Sequence, residues 1–255
     1  KPKDSLNEIK DSLNNASVVQ LMKWQTDAFH MINQLMTPNP NFMSKLINNK
    51  KDYTELVQKM ADRDVELRLS PKYQKLMGDT EFRGSKDWMD IAHEIQVQVV
   101  KEFGFDNVNN GLRIFRSNLH SIPRPPFYIK YNRARRGHLK VGDNAPNLTL
   151  YSMDKKTVDL YDNNKIQFVY VGALTWPPFR SLMLPYKDLI ERYPQVQFTV
   201  VYCQEAHADD EWPIGSKYKI NQHKTLDDRI KAAKWFVGEF KYNGRMLIDP
   251  IDNRM

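Results

Sequence analysis

The sequence predicts an α/β domain preceded by an all-α region. Before residue 120 apolar residues recur at three- and four-residue steps, and from residue 141 short apolar runs alternate with helical patterns. A stretch rich in proline, tyrosine and arginine separates the two. We therefore predict a helical region over 1–120, a basic strap over 121–140 and an α/β domain over 141–255.

Composition narrows the class of protein. The chain of 255 residues has a net charge of +7, but its basic residues are mostly interspersed with acidic ones, which favours simple solubility over an anionic partner. A single cysteine, Cys203, excludes an intrachain disulfide and a cysteine-rich zinc site. No apolar run is long enough to cross a membrane, and the opening segment is too polar for a signal peptide, so a cytoplasmic location is favoured.

The helical region divides into several segments. The spacing predicts helices over 41–63 and 107–119, and one that Ser85 caps and Gly104 closes. An apolar stripe comes before them, formed by Leu21, Trp24, Phe29, Ile32 and Met36. These stripes indicate a packed core more than a ligand cavity.

The strap carries arginines interleaved with aromatic residues. Arg133, Arg135 and Arg136 stand near Tyr128 and Tyr131, a composition that suits RNA or phosphate. Because no nucleic-acid-binding fold signature accompanies them, we expect the strap arginines to form salt bridges within their own protein. Nucleic acid is disfavoured as a partner.

The α/β domain begins with a predicted β-hairpin, 148–151 with 158–160. Next come a strand over 166–171, a helix over 179–193 and a second strand over 196–203. Both strands are apolar on both faces, which predicts a sheet covered on both sides and a parallel, right-handed crossover. The expected product is a thioredoxin-like α/β core. A polar insertion then ends in a helix over 226–240, and a short strand over 246–248 completes the pattern.

The central stretch of this domain is FVYVGALTWPPF, residues 168–179. It predicts a strand, a tight turn and the start of a helix, where unpaired backbone N–H groups favour an anion. The residue at the turn is Trp176, whose indole has no acid–base or nucleophilic role at neutral pH. The corner thus suits an anion but lacks a nucleophile.

Three motifs, GALTWPPF, VVYCQEAHADDEW and INQHKTLDDRIKAA, together resemble the iodothyronine deiodinase family over 141–255. The resemblance implies a thioredoxin-fold selenoenzyme of thyroid hormone metabolism, an oxidoreductase that removes iodine from an aromatic ring. It also implies a small iodinated aromatic substrate, a thiol donor as cosubstrate and no bound cofactor or metal, and it leaves a homodimer open.

In that family selenocysteine stands at the position of Trp176. The codon UGA encodes selenocysteine in such genes, but some genetic codes read it as tryptophan. We therefore favour the interpretation that Trp176 is a selenocysteine codon written as tryptophan. The alternative is a pseudoenzyme that truly contains tryptophan at this position. A soft chalcogenide at this turn would accept iodine, which an indole cannot do.

The resemblance also assigns roles to five polar side chains. His207 would hydrogen-bond the phenolic oxygen of the substrate or pass it a proton, as an imidazole that titrates near neutrality. Glu205 would orient His207. His223, with Thr175 and Tyr202, would form a proton path to the turn; the alternative is that both histidines merely cap or pack.

Several features depart from the family. Ala173 stands where a hydroxyl residue is common, and Cys203 is expected on the second strand as a buried, poor nucleophile. The domain is expected to be incomplete at its C-terminus, which would leave an exposed sheet edge, and the helical region is expected to stand in place of the family's N-terminal membrane anchor. Two alternatives stay open: a peroxiredoxin- or glutathione-peroxidase-like enzyme, and an inactive thioredoxin-fold binding module.

Overall fold

A computed structural model describes residues 53–78, 84–132, 137–161 and 165–255. The stripe predicted between Leu21 and Met36 and the arginines at 133, 135 and 136 lie outside these ranges. The described chain forms two compact units. One comprises 53–68 and 92–129, and the other comprises the described parts of 69–91 and 130–255.

Helices precede the strands, as predicted. In the described residues they are α1 (Thr54–Leu69), α2 (Pro71–Gly78), α3 (Trp88–Glu102), α4 (Val108–Asn118) and α5 (Phe127–Lys130). The sequence prediction missed α2, and it placed the cap of α3 at Ser85. Asp87 is the cap instead: its carboxylate accepts from the Asp90 N–H at 2.8 Å, and the Asp90 carboxylate accepts from the Asp87 N–H at 3.0 Å.

The first unit has an apolar core and a buried ion pair. The Arg68 guanidinium donates to the Asp64 carboxylate at 2.7 Å and lies 4.2 Å from the centre of the Tyr128 ring. Because Tyr128 is only 3% exposed, it cannot stack on RNA, which removes one of the two aromatics from the nucleic-acid interpretation of the strap. The core side chains include Val57, Met60, Ile95, Val99 and Phe115.

The second unit contains a mixed five-stranded sheet. Its strands are β1 (Thr149–Tyr151), β2 (Thr157–Asp159), β3 (Gln167–Gly172), β4 (Gln197–Tyr202) and β5 (Arg245–Ile248), in the order β2-β1-β5-β4-β3. The predicted hairpin and the parallel β3–β4 pairing are confirmed. The last strand, β5, lies inside the sheet between β1 and β4, and the edge strands of the described sheet are β2 and β3.

The helix predicted over 179–193 is two helices, α6 (Pro177–Ser181) and α7 (Met183–Arg192). Pro185 explains the break at Leu182, because a proline has no N–H to donate to Ser181 and its ring would clash with that carbonyl. Helix α8 (Leu226–Phe240) matches the prediction, and Thr225 with Asp228 forms its capping box. None of the helices in the described stretches has the length and apolarity that a bilayer crossing requires.

The expectation that the sheet is covered on both sides is confirmed at its centre, because apolar side chains on both of its faces are buried. Alternate residues of β3 and β4 point to an aromatic core that α6, α7 and α8 complete, with Phe179, Tyr186 and Phe236 at its centre. The opposite face holds a smaller cluster without helical residues, formed by Leu150, Leu160, Val201 and Leu247. The carboxyl ends of β3 and β4 thus meet α6 at one corner of the sheet, and the predicted site residues converge there.

Candidate active site

Trp176 lies at the corner between β3 and α6, where its N–H donates to the Ala173 carbonyl at 3.1 Å. Trp176 caps α6 with extended backbone angles (φ −86°, ψ 110°), and Pro177 follows at the first helical position. The Trp176 indole makes no capping hydrogen bond and is half-buried against the aromatic core. Because α6 has only five residues, its dipole is weaker than the long predicted helix would have supplied.

A buried carboxylate, Glu205, organises the polar groups beside Trp176. Glu205 is 2% exposed. Its Oε2 atom accepts from the Thr175 N–H at 2.9 Å and from the Thr175 hydroxyl at 2.6 Å, and its Oε1 atom accepts from the Tyr202 hydroxyl at 2.5 Å. The Tyr202 oxygen in turn accepts from the Leu174 N–H at 2.9 Å. The carboxylate therefore ties the turn to the end of β4.

These contacts set the protonation of the cluster. Burial opposes the charge on Glu205, but the hydrogen bonds from His223, Thr175 and Tyr202 outweigh burial, and the pKa of the carboxyl is lowered. Burial and the neighbouring carboxylate raise the pKa of Tyr202 well above its usual value. At neutral pH the site thus holds an ionised carboxylate and a protonated phenol.

His223 lies beside the same carboxylate. Its Nε2 atom lies 3.3 Å from Glu205 Oε1, within ion-pair distance but off the line of a well-formed hydrogen bond. Its Nδ1 atom accepts from Arg229 Nε at 3.3 Å. Thr175, Tyr202 and His223 therefore meet on Glu205, the grouping that the resemblance implied.

His207 lies at the outer side of this cluster. Its backbone N–H donates to the Thr175 hydroxyl at 3.1 Å, and its Nδ1 atom lies 3.3 Å from the carbonyl oxygen of Trp212. A carbonyl can only accept, so Nδ1 carries the ring proton and Nε2 is left as an acceptor. The expectation that Glu205 orients the His207 ring is wrong, since Thr175 and Trp212 make the contacts that position His207.

The protonation of His207 also differs from the expectation. Burial, with the nearby positive charge of Arg180, lowers the pKa of His207 to about 4, although the Trp212 carbonyl and Glu205 oppose that change. The ring is therefore neutral at pH 7. In this structure it can accept a hydrogen bond from a substrate but cannot supply a proton as an imidazolium.

Two polar residues near the site were missed from the sequence. The Gln222 amide accepts from the Glu205 N–H and donates to the Glu205 carbonyl, both at 2.9 Å, and so clamps the backbone that carries the carboxylate. The second, Arg229, donates from Nε to His223 Nδ1. Arg229 lies on the buried stripe of α8 with Ala233 and Phe236, and a charged residue on an apolar stripe is a sequence signal that could have identified it. No comparable sequence signal marks Gln222.

Cys203 follows β4 directly and is half-buried. Burial, with the charge of Asp249, raises the pKa of its thiol to about 12. The thiol is therefore protonated at pH 7 and is a poor nucleophile, as predicted. Ala173, at the position where a hydroxyl residue is common in the family that the motifs resemble, is buried in the aromatic core.

A family model and known proteins that match this chain are described as deiodinases. The family model described as iodothyronine deiodinase matches residues 124–255. The chain is 33% identical over 99 residues to the thyroxine 5-deiodinases of Homo sapiens and Ovis aries, covering 36% of this chain and 33% and 34% of those proteins. It is 29% identical over 103 residues to the type I iodothyronine deiodinase of Xenopus laevis, covering 39% of this chain and 41% of that protein. The chain thus spans between about a third and two fifths of the length of these relatives.

Proposed function

The chain belongs to the iodothyronine deiodinase family, and on that premise we propose that it removes iodine reductively from an iodinated phenol of the thyroxine type. A thiol is the final reductant. The observation that supports this proposal best is the buried Glu205 carboxylate, which collects Thr175, Tyr202 and His223 beside position 176. Such a cluster fits proton delivery to a nucleophile at that position.

The reaction requires a selenol or thiol at position 176. In the first step the ring carbon–iodine bond and the chalcogen–hydrogen bond at residue 176 break, a chalcogen–iodine bond forms, and the ring carbon takes the proton that the chalcogen gives up. In the second step two thiols reduce the chalcogen–iodine bond, which restores the selenol or thiol at residue 176, releases iodide and one proton, and yields a disulfide. Atoms and electrons balance with the thiols as the only reductant.

The polar residues then have distinct roles. The neutral His207 ring presents Nε2 as an acceptor for the phenolic hydroxyl of the substrate, because its Nδ1 proton faces the Trp212 carbonyl. Thr175 connects His207 to Glu205, since its hydroxyl accepts from the His207 N–H and donates to the carboxylate. Glu205 and His223 form the buried end of the proton path.

We also propose that the second unit is a thioredoxin-like domain. The parallel β3–α6–α7–β4 unit, with the polar residues at the carboxyl ends of the strands, supports this assignment.

A binding function is a second candidate. Trp176 has no nucleophilic atom, and its indole is half-buried against the aromatic core. Cys203 is no substitute, because burial raises the pKa of its thiol to about 12. A chain that truly contains tryptophan at 176 would bind an iodinated phenol without turnover.

A set of variants at position 176 tests the proposal. We expect Trp176→Cys to release iodide from an iodinated phenol in the presence of dithiothreitol, and Trp176→Sec to release it faster. Trp176→Ser is the matched control, since serine has a similar size but no soft atom, and it keeps Cys203. Equal release from the serine and cysteine variants, or none from the selenocysteine variant, would refute the proposal. Consumption of peroxide without release of iodide would instead favour the peroxidase alternative.

A further inference from the structure

Arg229 is a buried cation whose guanidinium donates four hydrogen bonds to neighbouring acceptors. Its side chain is almost completely buried. Nη1 donates to the carbonyls of Asp249 at 2.9 Å and Pro250 at 2.6 Å, and Nη2 donates to Asn253 Oδ1 at 2.9 Å. Nε donates to His223 Nδ1 at 3.3 Å. The turn after β5 therefore fixes the guanidinium, and the guanidinium faces one ring nitrogen of His223.

This contact determines which nitrogen of His223 carries the proton. A guanidinium has five N–H donors and no acceptor, so the Nδ1 atom that faces Arg229 must accept. The ring proton is therefore on Nε2, which lies 3.3 Å from Glu205 Oε1. The other tautomer would direct an N–H at the guanidinium and a lone pair at the carboxylate, and both contacts would be repulsive.

We infer that Arg229 is a positioning residue that holds His223 in the Nε2–H tautomer and so keeps a ring proton directed at Glu205. His207 shows the opposite arrangement, because its Nδ1 atom faces the Trp212 carbonyl. The two imidazoles of the site are thus fixed in opposite tautomers, His223 by Arg229 and His207 by the Trp212 carbonyl. The tautomer follows from the contacts alone, whereas its importance for turnover rests on the proposed function.

Nuclear magnetic resonance of the full chain tests the tautomer without any activity. Long-range ¹H–¹⁵N correlation spectra of the labelled protein at about pH 8, where an ordinary imidazole is neutral, distinguish the two ring nitrogens. We expect the Nε2–H pattern for His223 and the Nδ1–H pattern for His207, which serves as the internal reference. In Arg229→Gln the His223 signals should move to the Nδ1–H pattern or to a mixture, and in Arg229→Lys they should stay.

The matched control is Lys231→Gln, which removes a cation from an exposed position on the same helix and should leave both patterns unchanged. An Nδ1–H pattern for His223 in the unaltered chain would overturn the inference, as would an unchanged pattern in folded Arg229→Gln. If Arg229→Gln does not fold, the unaltered chain and Arg229→Lys still decide, because an Nδ1 proton on His223 in either one refutes it.

Kinetics test the consequence for turnover. In a Trp176→Cys background, Arg229→Gln should lower kcat for iodide release about 100-fold with little change in KM, as expected when a proton donor is misdirected. Arg229→Lys should retain most of the activity. An unchanged kcat in a variant whose tautomer has changed would overturn the positioning role. If Trp176→Cys itself releases no iodide while the spectra show the expected tautomers, the proposed function fails and the tautomer assignment stands.

Discussion

Replacement of Glu205 by glutamine should destabilise the fold strongly. The carboxylate faces four donors: the N–H and hydroxyl of Thr175, the hydroxyl of Tyr202 and the Nε2–H of His223. An amide has a single acceptor oxygen. If that oxygen stays with Thr175, the amide N–H groups face Tyr202 and His223, and neither can simply reverse its role. Tyr202 already accepts from Leu174, and Arg229 fixes the tautomer of His223.

The size of the effect follows from the orphaned donors. A buried donor without an acceptor costs about 1–3 kcal/mol. The Tyr202 hydroxyl loses its acceptor and the His223 Nε2–H loses the negative charge that it faces, so we expect Glu205→Gln to lower the free energy of unfolding by about 3 kcal/mol at pH 7. Folding lowers the pKa of Glu205 below its usual 4.5. The stabilisation is thus fully present above pH 4.5 and is lost as the pH falls through the folded-state pKa, so the gap between the two proteins should narrow in acid.

Urea unfolding of the full chain, followed by tryptophan fluorescence, measures this difference. Glu191→Gln is the matched control, because it makes the same substitution at an exposed carboxylate on α7 and should change stability by less than about 0.5 kcal/mol. The dependence of the unfolding free energy on urea should be the same in all three proteins. A Glu205→Gln variant as stable as Glu191→Gln would refute the view that this carboxylate organises the site.

Other expectations follow from the same region. Because folding lowers the pKa of His207 from 6.5 to about 4, the unfolded chain takes up a proton first as the pH falls; the free energy of unfolding should drop by about 2 kcal/mol from this residue between pH 7 and pH 5. In His207→Gln that component should vanish, and an unchanged pH dependence would contradict the assignment. Gln222→Ala removes both hydrogen bonds to the Glu205 backbone and should cost about 2 kcal/mol in urea unfolding; a cost below about 0.5 kcal/mol would rule out the clamp. Gly172→Ala should cost about 3 kcal/mol, because a Cβ there would overlap an aromatic ring of α6, whereas Gly238→Ala meets no neighbour and should gain about 0.5–1 kcal/mol. Equal thermal shifts for the two alanine variants would argue against the tight corner.

Local signals explain which elements the sequence predicts well. Helix α8 begins after Thr225, whose capping box with Asp228 is encoded within four residues, and its predicted bounds are confirmed. The break at Leu182 was missed although Pro185 is visible in the sequence, because a proline is tolerated in the first turn of a helix and does not show where that turn begins. Helix α2 was missed because it is short and mostly polar, with only Tyr73 buried.

The candidate site depended on contacts that a sequence pattern does not encode. The resemblance grouped Thr175, Tyr202 and His223, but it could not show that all of them meet on Glu205. The partners of Arg229 are largely backbone carbonyls after β5, at 20 and 21 residues' separation, and carbonyls have no sequence signature. The helical spacing of Arg229 could have marked it as buried, but not as the donor to His223.

The identity of residue 176 in the protein purified from its natural source tests the central claim most directly. Trypsin should release the peptide 166–180, which lies between Lys165 and Arg180 and contains position 176. A deiodinase corner predicts selenocysteine there, with the isotope pattern of selenium in the mass spectrum and a UGA codon in the transcript. A peptide mass that corresponds to tryptophan would contradict a catalytic role for this chain.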